Sequence, residues 1–371
     1  MGAFPLNSPE LVRTIIMKSY NSLYKELCSF GNLYLAYRKA RKNKSSKWYV
    51  KEFEKDLERN IYKLQYELES HAYNPKPLKQ FVIRDPKTRV ISASDFRDRV
   101  AHHAICNIIE PIFDKAFIHD SYANRKGKGA LAAVKRFDAS KRKISYNGKI
   151  LPNVKVKDSN QVFGYVLKAD IKHYFDSVDH EILMQILARK INDKKVLWLI
   201  RKVIENHTCK IPGNGMPIGN LTSQFFANVY LNELDFFVKH RLKAKYYVRY
   251  VDDFVILDRS EEKLELYKEK TNEFLKSIKL ALHPEKSKII PLRAGINFLG
   301  YRIFYSYKLL KKSNKKLIAN RIRNLVEAFN YGVIAKRELY ESLNGWNAYA
   351  MHANTYKLRS QMLKKINKCA K

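Results

Sequence analysis

Acidic residues are scarce in this chain. Asp and Glu number 36 against 71 Lys and Arg, a formal net charge of +35 over 371 residues. Such an excess repels itself unless a polyanion is at hand; nucleic acid is the first candidate and an anionic membrane surface the second. Long apolar runs are missing too: no stretch approaches the length of a membrane-spanning helix, so no membrane partner is expected. The opening residues, Met1-Gly2-Ala3-Phe4-Pro5-Leu6, lack the apolar segment and cleavage site of a signal peptide, and Leu6 breaks the myristoylation pattern, so a cytoplasmic location is expected. Cysteine is sparse. Cys28, Cys106, Cys209 and Cys369 lie too far apart to form a metal pair or a disulfide framework, which fits a reducing compartment. Hydrophobic residues, by contrast, make up 46%, enough for a real core and too many for a disordered chain. The length suggests two or three packed units.

Four segments follow from the pattern along the chain. Residues 1–75 read as a helical N-terminal extension. Ser8-Pro9-Glu10 supplies a hydroxyl cap, a proline at the first helical position and an acid at the positive end of the dipole. Apolar spacing then continues through Leu11, Ile15, Tyr20, Leu23 and Leu27, and a further helix is predicted from Trp48 to Leu68 after the basic run Arg38–Lys44. Residues 76–160 open with two short strands, Phe81-Val82-Ile83 and Arg89-Val90-Ile91, around the turn Asp85-Pro86-Lys87. A helix is predicted from Asp98 to Phe113. Asn147-Gly148, between β-prone runs, predicts a basic hairpin insertion over 140–160. In 161–305 strands and helices alternate. Residues 306–371 are again helical and basic.

Two places gather acids where strands disfavour them. Tyr246–Leu257 is two β-rich runs flanking Asp252-Asp253, which predicts a hairpin with both carboxylates at its tip. Two neighbouring carboxylates repel each other unless a cation sits there; a solvated turn is the plainer alternative. Phe163–Asp170 is a strand ending in an acid, followed by a helix capped at Asp179. Asp170 beside that tip can complete a carboxylate cluster for divalent metal, although alone it could equally be a cap.

The order of these motifs resembles that of bacterial, group II intron-like reverse transcriptases over residues 80–350. Val166–Phe175 resembles the family's first catalytic block and Tyr250-Val251-Asp252-Asp253 its Tyr-x-Asp-Asp block. Pro284-Glu285-Lys286-Ser287-Lys288 and Phe298-Leu299-Gly300-Tyr301 resemble the two blocks that follow. The resemblance implies an α+β right-hand polymerase: fingers over 76–160, a palm with an antiparallel sheet over 161–305 and a helical thumb over 306–371. It implies RNA-directed DNA synthesis from dNTPs with two Mg²⁺ ions, Mn²⁺ being an alternative, held by Asp170, Asp252 and Asp253 with Ile171 beside them. Arg84 and Arg89 would meet the triphosphate, with Lys286 near its phosphates. Phe175 would lie under the sugar and collide with a 2′-hydroxyl, unless it is a core aromatic. Arg125 and Lys128, in the Gly- and Lys-rich loop after Ser121, would contact template; that loop lacks the Gly-Lys-Ser/Thr ending of an NTPase. Phe298, Leu299 and Gly300 would grip the primer. Arg97 and Arg99 match a basic block but could pair with Asp95 and Asp98. His102 and His103 read as packing residues, with no ligand partner nearby.

One stretch departs from the intron enzymes. Gly215-Met216-Pro217-Ile218-Gly219-Asn220-Leu221-Thr222-Ser223-Gln224 has Ile218 where Gln is usual and Gln224 where Pro is usual. That form resembles the reverse transcriptases of diversity-generating retroelements, which misincorporate opposite template adenines. Ile cannot make the hydrogen bond that a Gln could make to the nascent pair. The partners so implied are a template RNA, the RNA/cDNA duplex and a ring-forming basic accessory protein. The sequence shows no Cys/His zinc motif and no nuclease segment, so target cleavage is not expected of it. A defence-associated reverse transcriptase and a non-catalytic RNA-binding scaffold are the alternatives; three acids kept in order argue against the scaffold.

Overall fold

The computed structural model describes residues 19–84, 88–152, 160–207 and 211–369. The expectations for Ser8–Ile15, the turn residues 85–87 and Cys209 lie outside these. The helical start comprises α1 (Tyr24–Cys28), α2 (Phe30–Arg41), α3 (Trp48–Glu54) and α4 (Leu57–Glu69). The single helix expected from Trp48 to Leu68 is therefore broken in two. The Asn60 side chain donates to the Phe53 carbonyl at 3.0 Å, replacing the backbone partner that an unbroken helix would supply. Two strands follow, β1 (Lys79–Ile83) and β2 (Arg89–Ala93), each reaching two residues further from the turn than the sequence suggests. They are antiparallel, with Ile83 opposite Arg89 and Lys79 opposite Ala93. Asp95 caps α5 (Phe96–Asp114) by accepting from Arg97 N at 3.1 Å.

The hairpin expected at Asn147-Gly148 is not one. Helix α6 (Ala130–Ile144) runs into that segment, and Tyr146, Asn147 and Gly148 all take positive φ. Asn147 N donates to Arg142 O at 2.8 Å, so the Asn-Gly pair acts as a helix stop rather than a strand turn. Both motifs need left-handed backbone, which is why the sequence signal is shared. Arg259 completes the stop: its guanidinium donates to the carbonyls of Ile144 at 3.0 Å and Lys143 at 3.1 Å and lies over the Tyr146 ring.

The remaining elements are β3 (Tyr165–Asp170), α7 (Tyr174–Ser177), α8 (His180–Ala188), α9 (Lys194–Glu205), α10 (Leu221–Phe236), β4 (Tyr246–Tyr250), β5 (Asp253–Asp258) and α11 (Glu261–Ser277). After them come β6 (Lys288–Pro291), β7 (Ile296–Phe298), β8 (Tyr301–Ile303), β9 (Lys308–Leu310), α12 (Lys312–Asn330), α13 (Lys336–Ala350) and α14 (Tyr356–Cys369). One sheet has the order β4-β5-β3-β6, with β3 and β6 antiparallel; a second is β7-β8-β9.

Two compact units divide the chain by packing. The first comprises Met1–Gly129, Ala169–Val255 and Leu266–Ser287; the second comprises Ala130–Lys168, Ile256–Glu265 and Lys288–Lys371. The first is built on α5, buried along Val100, Ala101, Ala104, Ile105 and Ile109, with α2 and α10 packed on it. In the second, α12, α13 and α14 enclose Ile318, Ile322, Leu339, Leu343 and Ile366.

The first unit also buries a charge pair. Arg249 on β4 and Asp235 on α10 have no solvent exposure, and Arg249 Nη2 lies 2.6 Å from Asp235 Oδ2. Nε donates to Oδ1 at 2.7 Å, Nη2 also to Ser121 Oγ at 3.0 Å, and Nη1 to Asn228 Oδ1 at 3.2 Å and to the Val251 carbonyl at 3.1 Å. Tyr247 adds its hydroxyl to Asp235 Oδ1 at 2.8 Å. Removing one partner would leave the other buried and uncompensated. We expect Asp235→Asn to cost about 3–5 kcal/mol in urea unfolding, against about 1 kcal/mol for Tyr247→Phe, which loses one bond. Equal, small losses would show that the pair is solvated.

Candidate active site

The sequence puts Asp170 at a strand's end, and the structure makes it the last residue of β3. Its backbone is bracketed by the segment after α11. His283 N donates to the Asp170 carbonyl at 2.7 Å, and Ser287, nearly fully buried, places Oγ 3.4 Å from Asp170 N. Lys286, on the same segment, brings Nζ to 2.8 Å from Asp170 Oδ2. The expectation put this lysine near phosphates; here it sits on a carboxylate.

The acidic hairpin forms, with its tip one residue earlier than expected. Val251 and Asp252 make the two-residue turn, and Asp253 already begins β5. Val251 has φ 55°, a conformation that a β-branched side chain strongly disfavours. Its carbonyl is the one held by buried Arg249, so the strain is opposed by a charge-assisted bond. Ile171 N donates to the Asp252 carbonyl at 3.3 Å, which joins the turn to the end of β3.

Electrostatics follow from this closeness. Burial, and then the charge of Asp170, raise the Asp252 pKa, while its own backbone amide, Arg89 and Lys286 pull it down. A carboxylate that is partly desolvated beside another lacks positive charge. Lys286 supplies one such charge, and a divalent cation would supply more. Asp170 and Asp252, with Ile171 and Asp253 adjoining them, are thus a donor set that suits a hard metal ion. Among the described residues no three metal-ligating side chains already converge on one point.

The segment Gly215–Gln224 links the other nucleotide candidates. Met216 N donates to the Phe175 carbonyl at 2.7 Å, and Ser92 N on the β1–β2 ribbon donates to the Ile218 carbonyl at 2.9 Å. Gly219, with φ 119°, lies so close to Ile91 that a Cβ there would stand 2.7 Å from its Cγ2; only glycine fits. Phe175 and Ile218 are partly exposed, and Gln224 is exposed in the first turn of α10. Arg84 lies just past β1 and Arg89 opens β2, both exposed.

Four basic candidates spend their charge on the protein itself. Arg125 was expected on template, but its guanidinium donates to Asp114 Oδ1 at 2.6 Å, to the Ile118 carbonyl at 2.7 Å and to the Ser121 carbonyl at 3.1 Å. It clamps the loop after α5. Arg97 pairs with Glu67 at 2.8 Å more closely than with Asp98 at 3.7 Å, and Arg99 donates to the Ser94 carbonyl at 2.9 Å. Lys128 Nζ donates to the His119 carbonyl and lies 4.8 Å over the Tyr122 ring. His102 is buried as a packing residue, and burial pushes its pKa down to about 3. Phe298 is buried against Phe137, and Leu299-Gly300 form the β7–β8 turn.

Sequence reasoning missed Arg249 and Ser287. The first had a signal: a guanidinium inside an apolar strand, and an acid, Asp235, directly before Phe236-Phe237 in the largely apolar run Phe225–Phe237, are two charges best buried together.

Comparison with known proteins agrees with this layout. The family model described as reverse transcriptase (RNA-dependent DNA polymerase) matches residues 76–303. Protein YkfC of Escherichia coli is 26% identical over 281 residues, covering 65% of this chain and 70% of YkfC. The group II intron-encoded protein LtrA of Lactococcus lactis is 26% identical over 358 residues, covering 76% of this chain but 57% of LtrA. The matched region contains Asp170, Asp252 and Asp253 together with the β1–β2 ribbon and the Phe298–Gly300 turn. With antiparallel sheets, the helical surroundings of a right-hand polymerase and this match over more than half its length, the chain belongs to the reverse transcriptase (RNA-dependent DNA polymerase) family.

Proposed function

We propose that this chain copies a template RNA into DNA by two-metal nucleotidyl transfer. The observation that carries the reading is the meeting of Asp170, at the end of β3, with Asp252, in a strained two-residue turn, beside Lys286. Asp170, Asp252 and Asp253, with the backbone of Ile171, would hold two Mg²⁺ ions, Mn²⁺ being an alternative. When bound, these supply Lewis-acid stabilisation of the phosphates and a more acidic 3′-hydroxyl. The chain's own cations do the rest of the charge work. Arg84 and Arg89 on the ribbon, and Lys286 once off Asp170, neutralise oxygens of the incoming dNTP. The net charge of +35 holds the template RNA and the RNA/cDNA duplex through their phosphates.

Discrimination falls to the segment that bonds Phe175 at one end and the ribbon at the other. Phe175 closes the space a 2′-hydroxyl would need. Ile218 gives the nascent pair a branched apolar side chain in place of an amide. Lost polar contacts weaken the choice between right and wrong pairs. This supports an error-prone enzyme of a diversity-generating retroelement, cytoplasmic and working with a ring-forming basic accessory protein.

Three substitutions test the reading. Asp252→Asn should lower primer extension on RNA by about a thousandfold, or roughly 4 kcal/mol, and leave RNA affinity within about twofold because that affinity comes from dispersed cations. Wild-type rates in this variant would remove the catalytic assignment. Phe175→Ala should admit ribonucleotides: the ratio of dATP to ATP incorporation at one template position should fall at least about tenfold, the order of a single tight apolar contact. An unchanged ratio would make Phe175 core packing. Ile218→Gln should reduce errors opposite template adenine several-fold, the value of about 1 kcal/mol for one neutral hydrogen bond, and more than at other bases. Deep sequencing of cDNA from both enzymes on one RNA reads it, and equal adenine-opposite error rates would reduce Ile218 to a lineage marker.

A further inference from the structure

The turn Phe298-Leu299-Gly300-Tyr301 is joined within its unit to helices much further along the chain. Leu299 and Gly300 have φ 45° and 90°. Glycine takes such angles freely and leucine does not, so the turn is held against its own preference. Gly300 also lacks a Cβ where the Tyr349 hydroxyl approaches; any side chain there would collide with it.

Three donors converge on the Gly300 carbonyl: Lys311 N at 3.0 Å, Tyr349 Oη at 3.2 Å and Asn314 Nδ2 at 3.3 Å. Asn314 Nδ2 donates to Tyr349 Oη as well, at 3.0 Å. Tyr301 returns a bond, its hydroxyl donating to the Tyr349 carbonyl at 3.0 Å, with the two rings 5.0 Å apart. Burial raises the Tyr349 pKa, so the hydroxyl keeps the proton it donates. Asn314 lies in the first turn of α12 and Tyr349 in the last turn of α13. Around Asn314 stand Lys311, Lys312, Lys315 and Lys316, four cations on a helix start with no acid among them.

We propose that Asn314 and Tyr349 are positioning residues that latch the Leu299-Gly300 turn to the C-terminal helices, so that engagement of the duplex backbone by the start of α12 and placement of the primer 3′ end by the turn are a single event. The proposal rests on the polymerase reading and deepens it. Lysines on phosphate fix where α12 lies along the duplex. The latch fixes where the turn lies relative to α12. Without the latch the duplex is still bound, but its terminus is no longer held by the turn.

Rate and affinity should therefore separate. In Tyr349→Phe the hydroxyl is lost while the ring stays on Tyr301; in Asn314→Ala the amide is lost. First-nucleotide addition would be followed in a single turnover at saturating dNTP on a preformed complex with an RNA template and DNA primer. Kd for the same duplex would be read by fluorescence anisotropy, and Tm by thermal melting. Each variant should slow addition about five- to tenfold, part of the orientation advantage lost when a reacting group is misplaced. Kd should stay within about twofold. The double variant should be no slower than the slower single one, since both break one chain of bonds. Wild-type rates in both single variants, or rates that fall only in step with Kd and Tm, would overturn the latch alone. A wild-type protein that adds no nucleotide would overturn the polymerase reading and the latch with it.

Discussion

Arg249 and Asp235 are both shut off from solvent, and a charge pair so deep persists only where every donor and acceptor is matched. Here the matching recruits the whole neighbourhood. The guanidinium reaches α10 through Asp235 and Asn228, the loop after α5 through Ser121, and the acidic turn through the Val251 carbonyl. Backbone bonds run alongside, with Arg249 N on the Asp120 carbonyl at 2.9 Å and Tyr122 N on the Arg249 carbonyl at 3.0 Å. Burial alone would lower the Arg249 pKa, but Asp235 more than offsets it and leaves it raised. An apolar pair could replace the energy of this network. It could not replace the directed bond that holds a valine in left-handed backbone beside Asp252.

The acids and the cations of the site are arranged by opposite means. Asp170 and Asp252 are fixed by backbone: a strand end, a two-residue turn and the Ile171 amide between them. Lys286 and Arg89 are held through long, exposed side chains, free to redistribute as charge enters. A rigid anion cluster and adjustable cations suit chemistry in which negative charge arrives, moves and leaves again.

The sequence made the site legible wherever chemistry and local geometry coincide. Asp179 was readable as a cap because an aspartate before an apolar run has one obvious use, and its Oδ1 does accept from Ile182 N at 2.9 Å. Asp252-Asp253 were readable because strands shed acids. Long-range partners were not. Arg125 in a Gly- and Lys-rich loop looks like a phosphate contact, and nothing local announces that Asp114 and two carbonyls will take its guanidinium. Asn147-Gly148 specifies left-handed backbone but not whether a strand or a helix precedes it. The break at Lys55-Asp56 depends on one side-chain bond, from Asn60, that competes with an otherwise acceptable helix.

The register of β3 carries one more consequence. Val166 faces Ile290 and Leu167 faces Ile289, so the strand is indexed to its neighbour by apolar side chains that must stay on their own faces. Asp170 is counted from that index, three residues beyond Leu167. Side chains alternate sides with every residue, so inserting or deleting one amino acid between them would turn the carboxylate to the opposite surface of the sheet. The strand thus tolerates substitution more readily than a change of length, and it serves as a ruler from which the Asp170 carboxylate is measured.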